Sequence, residues 1–192
     1  MNLLISVAGT ALTHDDKVLL AKPYITGVVI FQENIATASQ LQLLIQEIKQ
    51  IKPANPLQIA IDHEGGIINR FIKRDSAQPL WPATSAPTPT ALQSARYYNT
   101  LYQQDKAKAI ATLRQDGEHD AKVLSDFGFD VVYGPCIDWD NPACPIISQY
   151  DRAYGNDSES ILALAQTYVN AFRAHGITTC LKHFPGHGHT RS

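Results

Sequence analysis

No apolar run in the chain approaches the roughly 20 residues needed to cross a bilayer. The opening residues, MNLLISVAGTALTHDD, lack a basic n-region, and their apolar stretch stops at Gly9-Thr10, so they do not read as a secretory signal. An excess of either charge is also missing. Sixteen basic residues stand against 18 acidic ones, a formal net charge of −2, so neither nucleic acid nor an anionic membrane is favoured as a partner. Cysteine is scarce: Cys136, Cys144 and Cys180 are odd in number and show no C-x-x-C spacing. Buried or idle reduced thiols, as in a cytoplasm, are the expected state, rather than a Cys136–Cys144 disulfide. Repeats of solenoid period and low-complexity tracts are absent.

What is present is an alternation of strand-like and helix-like runs. With 192 residues, 44% hydrophobic and 18% charged, the chain suits one soluble globular domain with a sizeable core. Leu3–Val7 reads as a short buried strand, Gly27–Phe31 as a second and Leu57–Ile61 as a third. Asp130–Tyr133 reads as a fourth strand and Thr178–Lys182 as a fifth. Thr13 stands as an N-cap before DDKVLLA. Leu41, Leu44, Ile45 and Ile48 recur at helical spacing within Ala38–Ile51, and Pro53 and Pro56 end that helix. Pro79–Thr90 is a loop by composition. Ala91–Phe127 is helix-forming, with an expected break near Asp116-Gly117. Cys136–Gly155 is a long loop. Glu159–His175 is a helix whose apolar face runs through Ile161, Leu162, Leu164, Ala165, Tyr168, Val169 and Phe172, with Gly176 at the C-cap position.

Apolar strands separated by helices imply a parallel sheet covered on both faces. Polar residues follow the strands: Asp62-His63-Glu64-Gly65-Gly66 after the third, Asp138 and Asp140 after the fourth, Lys182-His183 at the fifth. Strand C-termini are where a (β/α)8 barrel or a doubly wound sheet places its active site, and the pattern alone does not separate the two. A full barrel takes about 250 residues. Five strands are legible here, and no helix covers the last, so a truncated chain is expected.

Two motifs carry the chemistry. In IDHEGGIINRF, Asp62 ends a buried strand, Gly65-Gly66 permits a sharp turn and close approach of backbone to a ligand, and Arg70 follows. An acceptor carboxylate beside a donor guanidinium suits a polyhydroxylated sugar. The same pair could equally only stiffen a loop, and the residues leave both readings open. In CLKHFPGHGHT, Lys182 and His183 are adjacent and on a strand would point to opposite sides. Both reach one pocket only if the strand ends there and the chain turns, which Pro185, Gly186 and Gly188 favour. A zinc site at His183, His187 and His189 is disfavoured, because the proline and glycines prevent the helix that aligns i and i+4 ligands. His187 and His189 read instead as pins of a tight loop. Arg152, in QYDRAYGND, is taken alone an ordinary loop arginine.

Together, IDHEGG with its following RF, then GPCIDW, DRAYG and KHFPGHG, in this order and approximate spacing, resemble the bacterial β-N-acetylhexosaminidases of glycoside hydrolase family 3. The opening VAGTALTHDDKVLLAKPYITGVVIF is similar as well. The resemblance spans nearly the whole chain, and KHFPGHG is its most specific part. It implies an α/β fold of the (β/α)8 TIM-barrel type, incomplete here with about the first five strands. Residues 1–192 would then be the N-terminal part of a single barrel domain. It implies retaining hydrolysis that releases terminal β-linked N-acetylglucosamine, in many relatives from a muropeptide under recycling. Asp62, Arg70, Arg152, Lys182 and His183 match the family positions that hold the sugar's hydroxyl groups, and His187 matches a loop-shaping histidine.

The resemblance also implies an aspartate nucleophile on a later strand and a His–Asp acid/base in an Asp-Ser-His pattern just after KHFPGHG. Neither is carried over to any residue here, so no catalytic residue is assigned. No metal and no cofactor are implied; the partner is a small-molecule carbohydrate, and the complete protein is expected to be a cytoplasmic monomer. Two departures stand out. Ile67 occupies a position where many relatives carry Arg, and Trp81–Phe127 is longer than in compact members, with PATSAPTPTALQ as an added loop. The alternatives to an enzyme are a non-catalytic sugar-binding remnant and a nonfunctional gene fragment. A metal-dependent hydrolase on the same barrel type is the outside reading.

Overall fold

The computed structural model describes residues 2–73, 76, 78–82, 84–188 and 190. Five parallel strands form one sheet: β1 (Leu3–Ile5), β2 (Ile25–Ile30), β3 (Gln58–Gly65), β5 (Val131–Cys136) and β6 (Thr178–Lys182), with the two-residue β4 (Ile68–Asn69) folded antiparallel onto the end of β3. Parallel partners cannot be joined by a tight turn, so helices cross between them. These are α1 (His14–Leu20), α2 (Ala38–Gln50), α3 (Ala95–Gln104), α4 (Lys106–Phe127), the single turn α5 (Pro145–Ser148) and α6 (Ser158–Ala174). The spatial order of the parallel strands follows their chain order without reversal. A doubly wound sheet would show a switch point; its absence among the described residues gives the barrel-type winding that the sequence pattern left undecided.

The five strands fall where the apolar runs are, with shifted ends. β1 is shorter than Leu3–Val7 and half-buried rather than buried, because it pairs on one side only. β6 is the opposite edge and is likewise half-exposed: Leu181 is 50% and the following Phe184 99% accessible. The fully covered strands are the central ones, where Val28, Ile30, Ile59, Ala60, Ile61 and Val132 have no accessible surface. The thiols of Cys136, Cys144 and Cys180 are free, as expected.

Thr13 caps α1 in a reciprocal box with Asp16: the Thr13 hydroxyl accepts from Asp16 N–H, and the Asp16 carboxylate accepts from Thr13 N–H. The expected helix break near Asp116-Gly117 is not there. It lies at Asp105, whose backbone is extended and whose side chain caps α4 by accepting from the Lys108 N–H at 2.9 Å. Gly117 lies inside α4 because α6 crosses it closely; a Cβ there would stand 3.0 Å from the Ala171 Cβ. On α6 the buried stripe is Ile161, Leu164, Ala165, Tyr168, Ala171 and Phe172, whereas Leu162, expected on it, is 69% exposed. Gly176 takes a positive φ of 77° just past that helix, the left-handed conformation its position calls for. The expected long loop after β5 begins later, at the end of Cys136, and contains α5.

After β4, several of the described residues pack onto the core. Trp81 stacks edge-on against Phe71 and Phe127, Thr88 is buried, and the Asn69 side chain donates to Pro89 O at 2.7 Å. This explains the two glycines of IDHEGG. Both have positive φ, and the close approach they permit is to the chain itself, not to a ligand. A Cβ at Gly65 would stand 2.3 Å from Gln93 O, and one at Gly66 2.9 Å from the Ser94 Cβ. Gly65→Ala therefore combines left-handed strain with a backbone clash and should destabilise the fold by about 2–3 kcal/mol. That corresponds to roughly 5–10 °C in Tm for a chain of this size. Gly9→Ala, where an added methyl meets nothing within 4 Å, should move Tm by under about 2 °C, so calorimetry of the pair checks the assignment.

Candidate sugar-binding site at the strand ends

Strand alternation sets up the site. Along β3, Asp62 and Glu64 project to one side and His63 to the other. His63 points into the helix layer, where its Nε2 lies 2.9 Å from Asp120 Oδ2, both side chains fully buried. Asp120 also accepts from the Ala91 and Leu92 N–H groups, and the Tyr168 hydroxyl donates to His63 O. Burial alone would raise the Asp120 carboxyl, but bonds from His119 and His63 hold it below the usual carboxylate range. The end of β3 is thereby fixed from behind by α4, α6 and the chain at 91–92.

On the front side, Glu64 is the hub. It is 5% exposed, and Arg152 forks onto it through Nε at 2.9 Å and Nη2 at 2.7 Å. Lys182, at the end of β6, reaches Glu64 Oε1 at 2.6 Å and Asp62 Oδ1 at 2.8 Å. Arg70, just past β4, donates to Asp62 Oδ2 at 2.7 Å and lies over the Phe31 ring. Arg152 Nη2 is also 3.1 Å from His183 Nε2. A guanidinium can only donate, so His183 Nε2 must accept and its proton must sit on Nδ1. That proton points at Asp138 Oδ2, 2.5 Å away. Asp138 further accepts from the His183 N–H at 3.1 Å and, through Oδ1, from the His187 N–H at 2.7 Å. Three carboxylates and three permanent cations thus alternate in one continuous network.

All five sequence candidates, Asp62, Arg70, Arg152, Lys182 and His183, line one cavity of about 370 Å³. Ile68, Tyr133 and Cys180 complete its wall. β6 ends at Lys182 and the Lys182–His183 peptide bond is cis; both side chains face the cavity. His187 anchors the loop through its backbone and sets its ring against that of His183, centroids 4.4 Å apart. His189 lies outside the described residues. Sequence reasoning missed Glu64 and Asp138. Glu64 stood in the motif without a visible partner, because Arg152 is 88 residues away in the chain. Asp138 carried one usable signal, its place two residues beyond a strand end.

Burial acts first on Asp62 and Asp138, in the raising direction. Lys182 and Arg70 around Asp62, and the bonds from His183 and His187 to Asp138, reverse it and hold both carboxyls below the usual range. A carboxyl whose folded-state pKa is depressed contributes stability above its unfolded value of about 4, and that contribution is lost as pH falls through the folded value. The unfolding free energy should therefore drop on acidification below about pH 4. Asp62→Asn combined with Asp138→Asn should flatten that drop in denaturant titrations at stepped pH.

The family model for the glycosyl hydrolase family 3 N-terminal domain matches residues 2–192. A beta-hexosaminidase of Thiobacillus denitrificans is 34% identical over 186 residues, covering 97% of this chain and 47% of that protein. One from Idiomarina loihiensis is 35% identical, covering 97% and 50%. The chain therefore spans about half the length of the curated relatives it matches. A crystal structure of NagZ from Neisseria gonorrhoeae in complex with N-trifluoroacetyl-D-glucosamine superposes with a TM-score of 0.83 at 29% identity, over 97% of this chain and 49% of that one. With five sequentially wound parallel strands, a polar cavity at their C-terminal ends and a family match over all but its first residue, the chain belongs to the glycosyl hydrolase family 3 N-terminal domain family, of TIM-barrel type.

Proposed function

We propose that the full-length protein is a retaining glycoside hydrolase that releases terminal β-linked N-acetylglucosamine, and that Asp62, Arg70, Arg152, Lys182 and His183 hold the sugar. The observation that carries this reading is the convergence of the five side chains on one cavity at the strand C-termini. The relatives named beta-hexosaminidase and the neighbour bound to an N-acylated glucosamine support the substrate class. Hydroxyl groups both donate and accept, and the cavity offers both kinds of partner: Asp62 accepts, Lys182, Arg70 and Arg152 donate. Each donor already has a carboxylate partner, Arg70 and Lys182 on Asp62 and Lys182 and Arg152 on Glu64, so a neutral sugar enters without stranding an unpaired charge.

In this reading residues 1–192 form the N-terminal part of a single barrel domain, and they contribute binding rather than bond cleavage. In a retaining mechanism one carboxylate attacks the anomeric carbon while a second group protonates the leaving oxygen; water then resolves the glycosyl-enzyme. None of the five cavity residues is assigned either role. Asp62 is tied between Lys182 and Arg70, and His183 between Arg152 and Asp138, which suits holding and not attack. The complete protein acts as a cytoplasmic monomer on a small carbohydrate or muropeptide. The described residues contain no helix long and apolar enough to cross a membrane.

The test is steady-state hydrolysis of a chromogenic β-N-acetylglucosaminide. In the full-length protein, Lys182→Ala and His183→Ala should each lower kcat/KM by roughly 10- to 100-fold, the scale of one lost charge-assisted hydrogen bond. Thermal melts accompany the kinetics, since Lys182 also bridges two carboxylates. Residues 1–192 alone should show no turnover. Unchanged kinetics in both folded variants would misplace the site, and turnover by residues 1–192 would put the chemistry within them.

A further inference from the structure

We infer that Cys136, Asp138 and His183 form a binding site for a thiophilic divalent cation of the zinc class. One donor atom from each, the thiol sulfur, a carboxylate oxygen and an imidazole nitrogen, all lie within 4.8 Å of one another. Thiolate, carboxylate and imidazole are the donors zinc takes in proteins. The scaffold under them is rigid. β5 and β6 are paired with Cys136 opposite Lys182, and the Ile137 N–H donates to Lys182 O at 2.8 Å. Asp138 follows Cys136 by two residues, so both side chains fall on one side of the chain, and His183 arrives from the neighbouring strand. This set differs from the His183, His187 and His189 trio that the sequence suggested and that loop geometry disfavours.

The present occupants of the site are protons. Asp138 Oδ2 accepts from the Cys136 thiol at 3.4 Å and from His183 Nδ1 at 2.5 Å. A cation placed among the three would replace both. The thiol proton leaves to solvent, and the imidazole proton moves from Nδ1 to Nε2. Three bonds then form, to Sγ, Nδ1 and Asp138 Oδ2, while Asp138 Oδ1 keeps its bond from the His187 N–H. Asp138 and His183 also line a cavity of about 470 Å³ with Trp139 and Phe184, which has room for a water as a fourth ligand. Arg152, in contact with His183, is paired by its fork onto Glu64 and does not repel the metal unopposed.

Occupancy has a consequence for the sugar site, and this part rests on the reading proposed above. With the proton on Nε2, His183 would face Arg152 Nη2, 3.1 Å away, donor against donor. That contact must open, and with it one wall of the sugar cavity loosens. Cation and sugar therefore antagonise each other.

Cobalt(II) provides the test, in full-length protein carrying Cys180→Ser so that the exposed thiol is removed. A thiolate-to-cobalt charge-transfer band saturating at one equivalent is expected, absent in Cys136→Ser and requiring at least tenfold more cobalt in Asp138→Asn. No band, or a band unchanged by Cys136→Ser, would overturn the site. Should Cys136→Ser fail to fold, X-ray absorption of the zinc-loaded protein decides instead. One sulfur at about 2.3 Å with nitrogen and oxygen at about 2.0–2.2 Å supports the site, and any other sulfur count removes it. Calorimetry of N-acetylglucosamine binding should show at least fivefold weaker affinity with one equivalent of zinc. Unchanged affinity alongside an intact cobalt band would leave the cation site standing and refute its link to the sugar.

Discussion

The buried carboxylate of Glu64 is the constraint on which the rest of this structure turns. Arg152 and Lys182 come from opposite sides of α6 in the chain and meet only because both reach Glu64. Removing one partner of a buried ion pair costs about 3–5 kcal/mol, because the other charge is stranded. A buried ion pair contributes little net stability compared with apolar residues of the same volume, so the network is better understood as a device for geometry. It fixes where two donors point before any ligand arrives, and such preorganisation lowers the entropy cost of binding.

That geometry is held from both faces of one strand. β3 presents Asp62 and Glu64 toward the cavity while His63, between them, is locked to Asp120 and Tyr168 behind. The glycines that follow let the chain at 92–94 press against the strand's end, and Trp81 packs edge-on against Phe71 and Phe127. The hydrophobic core and the polar site are thus one construction. The helices α4 and α6 that bury the sheet also supply Asp120 and the Tyr168 hydroxyl that steady it.

Much of this was legible in the sequence. Apolar runs located all five parallel strands, Thr13 announced its helix, and Gly176 marked the end of another, because these signals are local and depend on a few neighbouring residues. Asp62, Arg70, Arg152, Lys182 and His183, which line one cavity, were singled out by the family resemblance; taken alone, Arg152 read as an ordinary loop arginine. What was hidden depends on contacts distant in the chain. Gly117 resembles a helix breaker until Ala171 is seen against it, and Asp105, an unremarkable acid in sequence, is the true break. Glu64 and Asp138 gained their importance only from Arg152 and His183, brought in by the sheet. The first strand read as buried because apolarity does not reveal which strands lack a second neighbour.

Glu64 does not line the cavity, so its effect on a ligand must pass through Arg152 and Lys182. Calorimetric affinity of Glu64→Gln for N-acetylglucosamine, in protein whose fold is verified by its melt, therefore tests the account most directly. Affinity lower by about tenfold or more is expected, the scale of about 1.4 kcal/mol. A folded variant that binds the sugar as tightly as the parent would contradict it.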